Sequence, residues 1–215
     1  MPTVIYLIIN FLMQIFCVEQ NYFSNKKEQI NIVKSTPLIY TKPATALLQE
    51  GETFYYPEFA DELYCGCELV LRISKAGKNI AENVAANFYD AVTVGINFIA
   101  FDNNPEPLDE NLFWNATKAW NKSSVVGKWL QASDFGDKQN IDFCLYKNRE
   151  MVQFCNSGLM VYNFNRLISI ISNSYSLNIG DIIFTGSQVN IGELLAGDKL
   201  EAFIEDDSLL EFEIE

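Results

Sequence analysis

Tyr64-Cys65-Gly66-Cys67-Glu68-Leu69-Val70-Leu71-Arg72-Ile73 is the stretch on which the fold turns. Leu69, Leu71 and Ile73 recur at a spacing of two, the period of a strand whose successive side chains point to opposite faces. Gly66, Glu68, Val70 and Arg72 then share the other face, so the strand carries one acid inside an apolar run. A second stretch, from Ala91 to Phe101-Asp102 with Asn97 in its middle, reads as another apolar strand that ends in polar residues. Such a pair frames either a site or an ordinary strand pair with one exposed acid, and spacing alone favours the plainer reading.

The rest of the chain bounds the chemistry. With 215 residues it is long enough for one sizeable core, and 49% hydrophobic against 20% charged residues is a globular composition. A formal charge of −13 argues against nucleic acid and against an anionic membrane surface, both of which need Lys and Arg. Histidine is absent, which excludes Ser–His and Cys–His nucleophilic centres and any zinc site that needs imidazole. The five cysteines are odd in number and lie in or beside apolar runs, as expected of free thiols in a reducing cytoplasm. The period of two turns Cys65 and Cys67 away from Glu68 and toward the core.

Residues 1–12 are too short a run to span a bilayer and lack a basic start or a cleavage site, so they read as an apolar leader or a misplaced start. Residues 13–215 read as a single domain. Pro43 makes 38–42 an edge or terminal strand, and 51–62 is an aromatic connector. Residues 80–90 have helical spacing with Asn79 as the candidate cap, and 164–175 have it again. A hairpin is expected over 141–155 with Asn148 at its turn. Alternation over 200–214 closes the sheet, and Glu205, Asp206 and Asp207 form a solvated turn.

Several motifs carry a resemblance. They are Asn21-Tyr22 with Glu28 farther on, Lys42-Pro43, Phe101-Asp102-Asn103-Asn104, Lys118 between Trp114 and Trp120, and Asn156-Ser157-Gly158-Leu159-Met160. The most specific is Gly180-Asp181-Ile182-Ile183-Phe184-Thr185-Gly186-Ser187. From about Met13 to its end, the chain resembles the fumarylacetoacetate hydrolase family. The resemblance implies a mixed α+β, mainly β fold, a β-roll with short peripheral helices. It also implies metal-dependent hydrolysis or decarboxylation of small 2-oxo acids of the acylpyruvate or oxaloacetate type, and a homodimer.

The family's three metal carboxylates fall on Gly66, Glu68 and Asn97, and its histidine base falls on Asn25. Glu68 and Asn97 are therefore the candidate metal positions, Glu28 and Lys118 the candidate catalytic ones. Thr185, Gly186 and Ser187 form the candidate cradle for a substrate carboxylate. With one carboxylate of three present, no tightly held cofactor is expected, and Mg²⁺ or Mn²⁺ only if the inherited site persists. The expectation is an inert or strongly weakened relative that binds a small carboxylate. The alternative is a divergent 2-oxo acid enzyme working through Glu28, Glu68 and Lys118.

Overall fold

The computed structural model describes residues 13–19, 21–23, 37–102, 116–138, 140–187 and 191–215. Among them are eleven strands: β1 (Ile15–Glu19), β2 (Leu38–Lys42), β3 (Glu62–Ile73), β4 (Tyr89–Phe101), β5 (Ser124–Val126), β6 (Leu130–Gln131), β7 (Asp142–Lys147), β8 (Glu150–Asn156), β9 (Ile182–Phe184), β10 (Lys199–Ile204) and β11 (Asp207–Glu213). The α-helix α1 (Phe164–Ser174) joins them, capped by the Asn163 side chain accepting from Arg166 N–H. The fold is thus mainly β with few short helices, as the motifs implied. None of the described helices is long and apolar enough to cross a membrane.

The strands form two sheets. The larger has seven strands in the order β2-β1-β9-β3-β4-β5, with β6 also on β4; the smaller runs β11-β10-β7-β8. At the centre of the first, β3 and β4 pair antiparallel in a register that sets Glu68 opposite Gly95 and Gly66 opposite Asn97. Directly opposed residues share a face. Phe16, Val18, Leu69, Leu71, Val94, Ile96 and Phe98 therefore point one way and meet the second sheet in the main core. Ile15, Cys17, Val70, Ile182 and Phe184 point the other way into a smaller apolar cluster. Glu68 and Asn97 belong to this second face.

The backbone is stitched where strands run out of neighbours. β9 pairs with β3 only from Val70 to Arg72. At Cys67 the buried Gln153 amide takes the missing strand's place, accepting from Cys67 N–H at 2.9 Å and donating to Cys67 C=O at 2.7 Å. Cys65 and Cys67 face the core, and all five cysteines are free thiols.

Two expectations need correction. Residues 80–90 form only a short 3₁₀ turn, Glu82–Asn87, with Ala81 at its start. Asn79 is no cap: it has φ 52° and donates its N–H to Ser172 C=O on α1. Ser172 Oγ also accepts from Ile80 N–H, so ties to α1 shape the segment rather than helical propensity. The segment is also too short to offset the cost of starting an α-helix. Residues 200–214 do alternate, but as the β10–β11 hairpin of the second sheet, with Glu205 at its turn (φ 50°). The other hairpin, β7–β8, turns at Asn148 and Arg149, both at positive φ. Residues 1–12 lie outside the described residues.

Candidate functional site

The polar residues of the second face gather around Glu68, which is 3% exposed. Each of its carboxylate oxygens receives a hydrogen bond from a neutral donor. Asn97 Nδ2 donates to one oxygen at 2.9 Å and Gly186 N–H to the other at 2.6 Å. Gly186 can do this because it has φ +99° and no side chain; a Cβ there would stand 2.9 Å from Val18 O. Gly95, opposite Glu68, is required for want of space, since a Cβ would meet Phe184 and Val70 at 2.7 Å. Asn97 Nδ2 also donates to the Tyr40 hydroxyl at 3.1 Å, which ties β2 into the group.

Two amines complete the cluster. Lys42, 2% exposed, gives its ammonium to Ser123 C=O at 2.9 Å, Ser123 Oγ at 3.1 Å and Ser124 Oγ at 2.9 Å. Lys118 Nζ bonds Glu19 Oε1 at 2.5 Å and lies 5.5 Å from the centre of the Tyr40 ring. Glu19 is the last residue of β1, so two acids and two amines share the region.

Burial sets the proton affinities. Desolvation, with a smaller push from the charge of Glu19, lifts the Glu68 carboxyl to about 7 against the hydrogen bonds from Asn97 and Gly186 and the charge of Lys42. The Lys42 ammonium is pushed down to about 8, again chiefly by burial. Cys17, fully buried on the same face, has its thiol pushed up to about 12 by desolvation and stays protonated at neutral pH.

The structure thus joins Glu68, Asn97 and Gly186 directly, with Lys118 linked to Asn97 through Tyr40. Ser187 follows Gly186 and is half-buried. Thr185 serves the backbone instead. Its hydroxyl donates to Leu69 C=O at 2.9 Å and lies 3.2 Å from the Tyr22 hydroxyl, which locks the end of β9. Asp181 likewise holds backbone, accepting from Gln14 N–H and Asn178 N–H. Glu28 and Asn25 lie outside the described residues. Glu19 is absent from the sequence-based candidates, and Lys42 appears there only as part of a motif. Their partners are 99 and 81–82 residues away, so no local signal pairs them.

Among the described residues the donor set does not fit a divalent ion. A hard cation needs several oxygen ligands, mostly anionic, and Gly66 has no side chain to give. Asn97 turns its N–H group, not its carbonyl, toward Glu68. Among the described residues no three acids or thiols stand together as metal ligands. A surface cleft of about 460 Å³ elsewhere sets Tyr55, Tyr56, Phe59 and Trp120 beside Glu58, Asn121 and Lys122.

Comparisons with known proteins agree with this architecture. The sequence model described as Fumarylacetoacetate (FAA) hydrolase C-terminal matches residues 14–215. A mitochondrial oxaloacetate tautomerase of Mus musculus is 28% identical over 191 residues, covering 89% of this chain and 86% of its own. Its namesake in Caenorhabditis elegans is 25% identical over 193 residues, covering 89% and 90%. Among solved structures, a 5-carboxymethyl-2-hydroxymuconate delta-isomerase from Mycobacterium smegmatis superposes with a TM-score of 0.84 at 23% identity, covering 95% of this chain and 79% of the other. A fumarylpyruvate hydrolase from Pseudomonas aeruginosa, solved with Mn²⁺ and pyruvate, gives 0.78 at 23%, covering 94% and 88%. At that identity the two structures speak to the fold alone.

Proposed function

The chain belongs to the fumarylacetoacetate hydrolase family, and from that premise we propose that it acts on small 2-oxo acids of the oxaloacetate type by moving a proton at the carbon beside the 2-oxo group. The observation that carries this reading is the buried grouping of Glu68, Asn97 and Gly186 with Lys118 close by. The names of the curated relatives, oxaloacetate tautomerases, point to the same substrate class.

Keto–enol exchange makes few demands on a site. A proton leaves C3, the C–H electrons become the C2=C3 bond, and the 2-oxygen takes up a proton; the reverse restores the ketone. No bond between carbons breaks and no water is consumed. Glu68 is the group to accept and return the proton, because a carboxyl near 7 exchanges readily at neutral pH. Lys118 is the group to meet a carboxylate, with Ser187 beside it. Asn97 and Gly186 N–H orient Glu68.

A second reading, a ligand-binding relative with no turnover, is favoured by Gly66 and by Asn97 at positions where the family carries carboxylates. The test is the decay of oxaloacetate enol absorbance with the full-length chain. Acceleration above buffer is expected, lowered about a hundredfold by Glu68→Gln. Decay no faster than buffer would leave the binding reading in its place.

A further inference from the structure

The seven-stranded sheet meets itself across a seam. β2 and β5 stand at opposite ends of its strand order, yet the chain just after β2 reaches β5. Leu47 bridges Ser124 in parallel, Leu48 N–H donates to Ser124 C=O at 2.8 Å, and Lys122 N–H donates to Thr45 C=O at 2.9 Å. The sheet therefore curls until its two ends touch. Lys42, the last residue of β2, crosses this seam with its ammonium to Ser123 C=O, Ser123 Oγ and Ser124 Oγ. Three N–H bonds meet three acceptors, so none is left for a ligand. Lys42 is almost wholly buried, and an ammonium so far from water costs stability that an apolar side chain of equal length would not.

What the ammonium fastens is the frame of the Glu68 group. Ser124 stands opposite Asn97 in the β4–β5 register, and Asn97 Nδ2 donates to Glu68. Ser123 C=O also accepts from Phe98 N–H at 3.0 Å, and Ser123 Oγ donates to Lys118 C=O at 3.0 Å. Tyr40, whose hydroxyl accepts from Asn97 Nδ2, precedes Lys42 by two residues and so lies on the same face of β2. Asn97 is thus held from β2 by Tyr40 and flanked by the strand that Lys42 grips. We propose that Lys42 is a positioning residue, a clasp whose ammonium ties β2 to β5 across the seam and so fixes Asn97 and, through it, Glu68. The proposal deepens the 2-oxo acid reading and rests on it for the kinetic consequence alone.

Amide hydrogen exchange and oxaloacetate enol kinetics on the full-length chain test it together. Lys42→Met keeps the length and loses all three bonds. In it Leu48 and Lys122 N–H should exchange at least about tenfold faster, while β3–β4 amides stay within about threefold of wild type. Its kcat should fall about tenfold or more with KM within about threefold, because Glu68 is misplaced and no ligand contact is lost. Ser124→Ala removes one acceptor and keeps the ammonium, so it should give a smaller change of the same kind. In the double variant the two effects should not multiply, since both act through one ammonium. Seam amides that exchange as in wild type, in folded Lys42→Met or, if that variant does not fold, in Ser124→Ala, would overturn the clasp. Faster seam exchange with unchanged kcat, or a raised KM with kcat kept, would overturn the positioning role. Wild-type chain without turnover would sink the 2-oxo acid reading, and the exchange rates would still decide the clasp.

Discussion

The two faces of the seven-stranded sheet are built from the same strands and obey different rules. On one, Phe16, Leu69, Leu71, Val94, Ile96 and Phe98 are buried against the second sheet, and Phe98 stacks on Phe54 at 4.2 Å. On the other, Glu19, Tyr40, Lys42, Glu68 and Asn97 are held by named partners at hydrogen-bond distances or over a ring. Apolar packing is non-directional, so many side chains of the right size satisfy the first face. A buried polar cluster is satisfied by few arrangements, and one altered partner changes what the whole group can do. A fold can therefore persist while its buried polar positions change.

The largest effect should come from the apolar face. Phe98→Ala is expected to cost about 3–5 kcal/mol of stability, read from the urea midpoint, because the rigid surroundings cannot refill the space. That loss should be the same at pH 5 and pH 8, since no titrating group contacts the ring through a hydrogen bond. A strongly pH-dependent loss would break the contrast between the faces.

Glu68→Gln should do the opposite on the polar face. The folded carboxyl sits near 7 against an ordinary value of 4.5, so between these values the native state holds a proton that the unfolded chain has released. Wild-type stability therefore falls as pH rises from about 4.5 to 7, and the penalty is fully present above 7. The variant should be more stable than wild type at pH 8, by on the order of 3 kcal/mol, and the gap should close toward pH 4.5. Parallel stability curves would show that burial does not control Glu68.

The smallest effect sharpens the comparison from outside both faces. Lys199 and Glu213 pair at 3.2 Å on the exposed hairpin, with side chains 67% and 49% exposed. Lys199→Ala should change stability by less than about 0.5 kcal/mol. A larger loss would mean that exposed charges on this acidic chain matter as much as the buried ones.

The two faces are also unequally legible in the sequence. The apolar face follows from the period of two around Leu69 and Ile96, and the turns of both hairpins from local residues such as Asn148 and Glu205. Spacing suggests a longer helix where the short 3₁₀ turn Glu82–Asn87 stands, because it does not register the ties to Ser172. On the polar face, Glu68 and Asn97 stand out by their position within apolar strands. Whether Asn97 presents its carbonyl or its amide depends on Glu68, 29 residues away. Glu19 looks like the polar end of a strand until the fold brings Lys118 to it.

The proposed proton transfer on a 2-oxo acid in this buried polar cluster needs no metal ion. The most direct measurement is the pH dependence of oxaloacetate enol-to-keto conversion by the full-length chain in excess chelator. The predicted result is acceleration that survives the chelator, rises through a limb near pH 7 as Glu68 ionises, and falls about a hundredfold in Glu68→Gln. Conversion that stops in chelator and returns with Mn²⁺, or that is no faster than buffer at any pH, would contradict it.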